Sequence, residues 1–433
     1  MLLVLKMIGH KIYKLAKVLW PINRSITGDG VRISLKKIQK IIPNLKIIEN
    51  PSGKKVFDWK IPEEWNVSEA WLKGPNGRKI ADFSKNNLSL VGYSVPIKSS
   101  FNLNKIKKHI HTIKTQPNAT PYVTSYYKRT WGFCIPYKSF KKLKKGKYEV
   151  CINSEIKNGH LTYGEIIIPG KRKQEIFIST NICHPSMANN EISGPVVTTY
   201  LAKWIQSIKN RKYTYRIIFV PETIGSITYL SKKYKYLKKN VIAGFNVVCV
   251  GDNRCYSYLP SRNGNTLSDK VLKHVLKKNI KKYKIYSWAN RGSDERQYCS
   301  PGIDLPIATV MRSKYGTYPE YHTSLDNLKN VVSPAGLNGG YRILKLAIET
   351  LEKTNFYQTK FLGEPHLSKR NLYPTTSIKN NISKEIKKIM DIISYSDGKI
   401  PTIEIADRLS ISMPNLNRIL NKLEKKSIIK KLL

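Results

Sequence analysis

The side chains best suited to chemistry in this sequence lie in four polar segments, each of which follows an apolar run. In chain order, the segments contain His184, Glu222, Asp252 and His322. Two imidazoles with neighbouring carboxylates can hold a zinc ion and leave one position open for water. A carboxylate beside such a site can take a proton from that water and create a hydroxide nucleophile. Together the four residues predict a metal-dependent hydrolytic site.

Each of these residues, taken alone, also fits a structural role. A single histidine after a strand is more often a hydrogen-bonding group, and a glutamate at a strand end is usually a helix cap or a surface carboxylate. Asp252 follows a glycine, which is a common turn sequence, and His322 precedes Thr and Ser, which also form turns. The occurrence of four such segments in one pattern is what favours a shared site.

Alternating strands and helices must bring these segments together. The predicted strands are residues 175–182, 215–220, 243–250 and 306–311, and the predicted helices are residues 196–208, 268–278 and 335–351. Such alternation predicts an α/β sheet with parallel strands. In an open α/β sheet, ligands bind beyond the carboxyl ends of the strands. We therefore expect the four polar segments to meet at one edge of the sheet.

Changes in pattern divide the chain into five parts. The predicted parts are an N-terminal helical portion of the α/β domain (1–53), a β-rich inserted domain (54–153), the remaining α/β domain (154–354), a linker (355–381) and a winged-helix domain (382–433). Three short helical patterns at 384–395, 402–409 and 414–426 outline a helix-turn-helix, with 427–433 as a final strand. Asp397-Gly398 is predicted to be a turn, and residues 355–378 a Pro-containing connection.

Composition excludes several protein classes and leaves the meaning of the charge open. With 433 residues, of which 41% are hydrophobic and 24% charged, the chain is neither collagen-like nor a coiled coil nor wholly disordered. The 76 Lys+Arg against 29 Asp+Glu give a net charge of +47, which attracts polyanions. Lysine is spread over nearly every segment, and Asn, Ile and Tyr are abundant. This distribution favours a genomic composition bias, with a polyanion-facing role as the alternative.

Cysteine usage and the N-terminus both indicate a cytoplasmic protein. The six cysteines form no CxxC motif, which favours buried thiols in a reducing compartment. Lys6, Lys11, Lys14 and Lys17 interrupt the first apolar segment, so it lacks the apolar run of a signal peptide. An amphipathic helix is predicted there, with attachment to a membrane surface as the alternative. No segment approaches the roughly 18 uncharged apolar residues of a transmembrane span.

Three motifs carry a family resemblance. They are HPS (184–186) with SG (193–194), PETIGS (221–226) and YHTSLD (321–326). They resemble the co-catalytic zinc aminopeptidase superfamily and, more closely, bacterial aminopeptidase-like domain proteins often encoded near polysaccharide-biosynthesis genes. Further matching segments are residues 28–32, 57–59, 91–94, 122–127, 131–134 and 291–298. The resemblance implies an α/β fold with a zinc-aminopeptidase-like mixed sheet flanked by helices, a small β-rich inserted domain and a C-terminal winged helix.

The resemblance also implies roles for individual residues. The metal-binding histidines of the superfamily fall on His184 and His322, a metal-binding aspartate on Asp252 and the catalytic glutamate on Glu222. A second glutamate ligand of the superfamily is Thr223 here.

The aspartate that bridges the two metal ions in the superfamily is Asn190 here. Glu191 can replace this bridge or act from behind a ligand, although the helical onset is expected to point it elsewhere. With two anionic ligands missing, one zinc ion is favoured over two, and loss of the metal is the alternative.

Five polar residues of the segment 291–296 and its neighbours are candidates for substrate binding. They are Arg291, Asp294, Glu295, Arg312 and Tyr321. An arginine among them can grip a carboxylate with two hydrogen bonds, and the two acids can hold an α-amino group. The alternative is a buried salt-bridge network.

The leading hypothesis is a zinc-dependent, aminopeptidase-like hydrolase that acts on a small peptide, an aminoacyl group or an amide, with a link to polysaccharide biosynthesis. The alternative is a non-catalytic or DNA-binding regulatory protein with a decayed peptidase fold. Nucleic acid is a candidate partner of the winged helix, where Arg418, Lys422, Lys425 and Lys426 suit phosphate contacts. A homo-oligomer is also compatible with the sequence.

Overall fold

The computed structural model describes residues 2–373 and 384–432. It divides into two compact units. The first comprises residues 1–268 and 281–345, and the second comprises residues 269–280 and 346–433.

The described helices agree with most of the helical patterns in the sequence. They are α1 (Leu2–Leu19), α2 (Asp29–Gln39), α3 (Leu103–Lys107), α4 (Tyr137–Phe140), α5 (Ser193–Ser207), α6 (Ile224–Asn240), α7 (Leu267–Asn279), α8 (Glu295–Tyr298), α9 (Pro334–Lys353), α10 (Lys384–Ser394), α11 (Thr402–Arg408) and α12 (Met413–Lys425). One π-helical turn, Ala188–Ile192, directly precedes α5.

The described strands fall into one large sheet and several small ones. They are β1 (Lys46–Pro51), β2 (Lys55–Val56), β3 (Trp59–Lys60), β4 (Glu64–Lys73), β5 (Lys79–Asp82), β6 (Ile97–Asn102), β7 (Ile110–His111), β8 (Phe133–Cys134), β9 (Lys147–Lys157), β10 (His160–Ile168), β11 (Arg172–Asn181), β12 (Tyr213–Val220), β13 (Val241–Val247), β14 (Ser257–Leu259), β15 (Lys284–Ile285), β16 (Ile307–Met311), β17 (Phe356–Thr359), β18 (Asp397–Pro401) and β19 (Ile429–Leu432).

The large sheet has eight strands in the order β1-β10-β12-β11-β13-β16-β14-β15. Its four central strands, β12, β11, β13 and β16, pair in parallel, whereas β10 and β14 flank them antiparallel. The last six residues of β11 are all buried, as expected for a strand covered on both faces. The predicted mixed sheet flanked by helices is therefore confirmed, and its parallel part is the part predicted from the strand–helix alternation.

The β-rich segment forms a four-stranded antiparallel sheet in the order β5-β4-β9-β6. Its core is continuous with that of the large sheet. Trp65 and Tyr148 from the small sheet belong to the same buried cluster as Phe177 and Ile218 from β11 and β12. The β-rich segment is thus anchored to the α/β part by shared apolar packing, and its loops can contribute to a site at the edge of the large sheet.

The C-terminal unit has the expected helices and a sheet larger than expected. α10, α11, α12 and β19 match the predicted elements within a few residues. The predicted turn at Asp397-Gly398 is instead the start of β18, and the predicted connection contains β17, which pairs with β18 and β19. Alternation of apolar residues is too short in these four- and five-residue strands to mark them. The predicted end of the linker, at residue 381, lies outside the described residues.

The N-terminal helix α1 is amphipathic, as predicted. Its apolar side chains Ile12, Leu15, Ala16 and Leu19 are buried. Among the helices that the structure describes, none combines the length and the apolarity needed to cross a membrane.

Candidate functional site

The carboxyl ends of the central parallel strands form one edge of the large sheet. β11 ends at Asn181, β12 at Val220, β13 at Val247 and β16 at Met311. The first three of these strands lead into the predicted segments that contain His184, Glu222 and Asp252. Because parallel strands end on the same side of a sheet, these segments leave from a common edge.

His184 is the residue around which the candidate site is arranged. Its Nε2 lies 3.8 Å from Oε2 of Glu222, and its Nδ1 lies 2.7 Å from Oε2 of Glu191. His184 is 6% exposed and Glu191 is 1% exposed. Each ring nitrogen of this buried histidine therefore faces a carboxylate.

Glu191 points towards His184, contrary to the expectation that the helical onset directs it elsewhere. The onset is a π-helical turn, Ala188–Ile192, and not a regular α-helical one. The wider turn changes the direction in which its side chains leave the backbone. The second carboxylate oxygen of Glu191 accepts the backbone N–H of Cys183. Glu191 thus holds both the ring and the loop of His184.

His184 and the two glutamates near it, Glu191 and Glu222, all have shifted pKa values. Burial opposes protonation of His184, but Glu191 outweighs it and raises the pKa of the histidine. Burial likewise opposes ionisation of Glu191, but the histidine outweighs it and lowers the pKa of this carboxyl. For Glu222 burial prevails over the attraction of His184, and its pKa is raised. Glu222 therefore holds a proton more readily than an exposed glutamate does.

His322 lies close to His184 and has one nitrogen without a partner. The two ring centroids are 5.7 Å apart, and the His322 ring stacks on that of Tyr321 at 3.9 Å. Within the described part of the chain, the buried Nε2 of His322 has no hydrogen-bond partner. Burial and the neighbouring His184 lower the pKa of His322 to about 3. The ring is therefore neutral, which is the form that binds metal ions.

Two tyrosines of the β-rich segment complete the surroundings of the histidines. The ring of Tyr122 lies 5.1 Å from that of His184 and 5.3 Å from that of His322. Its hydroxyl shares a 2.7 Å hydrogen bond with the hydroxyl of Tyr126. The prediction did not include these residues in the site, although residues 122–127 are one of the segments that match the family. Their density of tyrosines was the available signal.

Asp252 is held by protein groups on both of its oxygens. Oδ1 accepts from the Arg254 N–H and the Ser313 hydroxyl, and Oδ2 accepts from the Ser313 N–H and the Asn189 amide, at 2.8 to 3.0 Å. The aspartate is 1% exposed. These four bonds join the loop of Asp252 to those of Asn189 and Ser313.

Asn190 lies beside a carboxylate that the prediction omitted. Asp326 accepts the backbone N–H of Asn189 at 2.7 Å, that of Asn190 at 3.0 Å and the hydroxyl of Tyr318 at 2.9 Å. Burial raises the pKa of Asp326 to about 6. Its presence in the YHTSLD motif was the signal that could have identified it.

Of the five predicted substrate-binding residues, Tyr321 and Asp294 lie next to the site. Tyr321 stacks on His322. Asp294 accepts the Thr223 N–H at 2.8 Å and the Ser226 hydroxyl at 2.7 Å through Oδ1. Burial and the charge of Glu222 raise the pKa of Asp294 to about 8.

The other three predicted substrate-binding residues make contacts typical of structural groups. Glu295 is fully buried and accepts hydrogen bonds from Gly292, Ser293, Tyr315, Asn246 and Thr309. The guanidinium of Arg312 lies 3.7 Å from the ring centre of Tyr256, and that of the exposed Arg291 lies 5.2 Å from Trp288.

A cavity of about 270 Å³ opens above His184 and Glu222. It is lined by Ile26, Trp59, Tyr126, Tyr127, Cys183, His184, Glu222, Thr223 and Ile224. Trp59 and Tyr127 at its rim are 40% and 60% exposed, with ring centroids 6.1 Å apart. The cavity is therefore a mainly apolar and aromatic recess with a histidine and a glutamate in its lining.

The donor groups can be compared with what a metal ion requires. In the described part of the chain, the set of three or more potential ligands with donor atoms within 4.8 Å of one another is Cys183, His184 and Glu191. Glu222 and His322 lie at the margin of this set. His322, whose buried Nε2 has no hydrogen-bond partner among the described residues, and the acids near His184 are donor types that suit zinc.

Two family models match consecutive parts of the chain. Residues 13–354 match a domain of unknown function, DUF4910, and residues 355–431 match a winged helix-turn-helix family. A Clostridium acetobutylicum protein, provisionally named as a polysaccharide biosynthesis protein with an aminopeptidase-like domain, is 41% identical over 92% of this chain and 91% of its own length.

Solved structures show the same fold. A crystal structure from Clostridium acetobutylicum, provisionally described as a peptidase, has a TM-score of 0.87 and 37% identity, and the match covers 99% of this chain and 97% of the other. A zinc aminopeptidase from Bacillus subtilis has a TM-score of 0.58 and 13% identity, with coverage of 80% and 95%. The latter likeness concerns the fold alone. The resemblance noted in the sequence is thus confirmed, and the chain belongs to the DUF4910 family, with an aminopeptidase-like α/β domain followed by a winged helix-turn-helix.

Proposed function

We propose that this protein is a metal-dependent, aminopeptidase-like hydrolase that cleaves a peptide or amide bond. The observation that carries the proposal is the 3.8 Å approach of Glu222 Oε2 to His184 Nε2 in the lining of a cavity, with His322 beside them. A carboxylate base next to two imidazoles is an arrangement suited to metal-assisted hydrolysis.

Glu222 is the proposed general base. Its carboxylate lines the cavity, and its raised pKa brings proton uptake closer to neutral pH. It would accept a proton from the attacking water and later give that proton to the leaving amine nitrogen.

His184 and His322 are the proposed protein ligands of one zinc ion. When bound, zinc supplies a Lewis acid that polarises the scissile carbonyl. The neutral residues Asn190 and Thr223 favour one ion over two, because a second ion would have too few anionic ligands. Glu191 acts from behind His184 in this proposal, and the four protein hydrogen bonds of Asp252 favour a supporting role for it.

The mainly apolar cavity favours a small aminoacyl or peptide group as the substrate. Tyr321 and Asp294 are the predicted substrate-binding residues that remain next to the site, whereas Arg291, Glu295 and Arg312 fit structural positions better.

The name of the Clostridium acetobutylicum relative supports an amide on a sugar-linked substrate in polysaccharide biosynthesis. The six cysteines are scattered along the chain and form no CxxC motif, which supports a reducing, cytoplasmic environment.

Zinc analysis of the purified protein, combined with Glu222→Gln, tests the proposal. We expect about one zinc per chain and turnover of aminoacyl 4-nitroanilides that falls at least about 100-fold in the variant, in line with the loss of a general base. Zinc content should be unchanged. Full turnover by the variant would remove Glu222 as the base, and a protein without zinc or turnover would favour the alternative function.

The alternative is a DNA-binding regulatory protein, and a feature of α12 favours it. This helix buries Leu416, Ile419, Leu420 and Leu423 against its own unit. The opposite side exposes Asn415, Arg418, Asn421, Lys422 and Lys425. Arg and Lys contact phosphates, and Asn is a residue type that reads base edges. We propose nucleic-acid binding through this surface, which is compatible with hydrolysis at the other site.

A further inference from the structure

Thr223, directly after the proposed base, has a rare backbone conformation. Its φ is 65° and its ψ is −76°, and the Ile224 N–H donates to the Glu222 carbonyl oxygen at 2.8 Å. These values describe a γ-turn with positive φ, which is rare and strained. Among non-glycine residues, a β-branched residue such as threonine is found at positive φ especially rarely. Strain of this kind persists only where the surroundings impose it, and it occurs often at functional sites.

Asp294 and Arg296, from a distant part of the chain, hold this turn. Oδ1 of Asp294 accepts the Thr223 N–H at 2.8 Å and the Ser226 hydroxyl at 2.7 Å. Arg296 donates to the Thr223 hydroxyl at 3.2 Å. Asp294 is fully buried, so water does not compete for these bonds. The turn is therefore fastened on its backbone and on its side chain.

The turn determines where Glu222 points. β12 ends at Val220, and α6 begins at Ile224, so three residues reverse the chain between them. On the other side, the Glu222 N–H donates to Sγ of Cys183 at 3.2 Å. With its N–H fixed by Cys183 and its carbonyl fixed in the γ-turn, Glu222 has little freedom. Its carboxylate is held in the cavity beside His184.

We propose that Asp294 is a positioning residue, which holds Thr223 in the γ-turn and thereby keeps the Glu222 carboxylate next to His184. This inference rests on the proposed function, because it takes Glu222 as the base. It also accounts for a threonine at this position, since its hydroxyl gives Arg296 an acceptor that glycine would lack.

The test is a set of five variants in the full-length zinc-loaded protein, assayed with aminoacyl 4-nitroanilides. Asp294→Ala should lower kcat at least tenfold and change KM less than threefold. Asp294→Asn, which keeps an acceptor oxygen, should recover most of this loss. In the Thr223→Gly background the loss caused by Asp294→Ala should shrink to less than threefold, because glycine adopts positive φ without strain. Asp304→Ala, at an exposed aspartate, should leave turnover unchanged.

If Asp294→Ala lowers kcat equally in the parent and in the Thr223→Gly variant, the proposal is overturned. An effect of Asp294→Ala on KM alone would also overturn it. Crystal structures of the parent and of Asp294→Ala separate this question from the proposed function. We expect φ of residue 223 to leave the positive region in the variant. A Thr223 that keeps φ near 65° without Asp294 would overturn the inference even if the protein hydrolyses nothing.

Discussion

Glu191 places a carboxylate directly beside His184 in the candidate site. It follows Asn190, the position at which the resembling superfamily has a metal-bridging aspartate, and it bonds His184 Nδ1 at 2.7 Å. A carboxylate on the far nitrogen of a metal-binding histidine fixes the ring and raises its basicity. In the proposed metal site, Glu191 would therefore support His184 from behind.

At the residue scale we predict that Glu191→Gln weakens zinc binding by about 10- to 100-fold, the usual effect of losing such a support. The amide keeps the shape of the side chain but loses its charge. Competition with a chromogenic chelator measures the affinity. Glu155→Gln, at an exposed glutamate, is the matched control and should bind zinc like the parent. Unchanged affinity in Glu191→Gln would contradict the supporting role.

At the scale of elements, an ion pair joins α2 to β4. Nη1 of Arg32 lies 3.0 Å from Oε2 of Glu64, and the same oxygen accepts the His160 N–H at 2.9 Å. Burial opposes ionisation of Glu64, but Arg32 and the His160 N–H outweigh it and lower its pKa from 4.5 to about 2. The charged form of Glu64 is thus favoured by folding. Its contribution to stability is present above pH 4.5 and is lost as the pH falls towards 2.

We predict that Glu64→Gln removes part of the acid sensitivity of the fold. The pKa shift of Glu64 corresponds to a loss of about 2 kcal/mol in the free energy of unfolding between pH 6 and pH 3. Solvent screening reduces this loss to about half. The free energy of unfolding of the parent should therefore fall by about 1 kcal/mol more than that of the variant over this range. Urea unfolding at several pH values measures the difference. Glu69→Gln, exposed on the same strand, should follow the parent, and parallel curves for Glu64→Gln would refute the assignment.

At the scale of the whole molecule, the net charge of +47 complicates any test of DNA binding. A chain so basic binds polyanions without a specific surface. The useful comparison removes the same number of charges at two places. Arg418 and Lys422 lie on the exposed side of α12, whereas Lys142 and Lys144 lie in the β-rich segment.

We predict that Arg418→Ala with Lys422→Ala weakens duplex binding at least tenfold and lowers the salt slope by about 2, because two phosphate contacts are lost. Lys142→Ala with Lys144→Ala should change affinity less than twofold. Fluorescence anisotropy with a labelled duplex at several salt concentrations measures both. Equal losses from the two pairs would mean that overall charge, and not α12, binds DNA.

Local patterns in the chain were sufficient for the fold class, the parallel strands and the winged-helix elements. Apolar periodicity and motif spacing are properties of neighbouring residues, so they can be read without knowing the fold. The same motifs identified His184, Glu222 and His322 as candidates for one site. The short strands β17 and β18 escaped prediction because four or five residues carry too little periodicity.

The partners of these side chains depend on contacts that no local pattern contains. Glu191 reaches His184 because one turn is π-helical, and Asp294 holds Thr223 across 71 residues of chain. Asp252 accepts four hydrogen bonds from three loops. The sequence determines the type of each side chain. Its role depends on which distant groups satisfy its hydrogen bonds, and only folding brings those groups together.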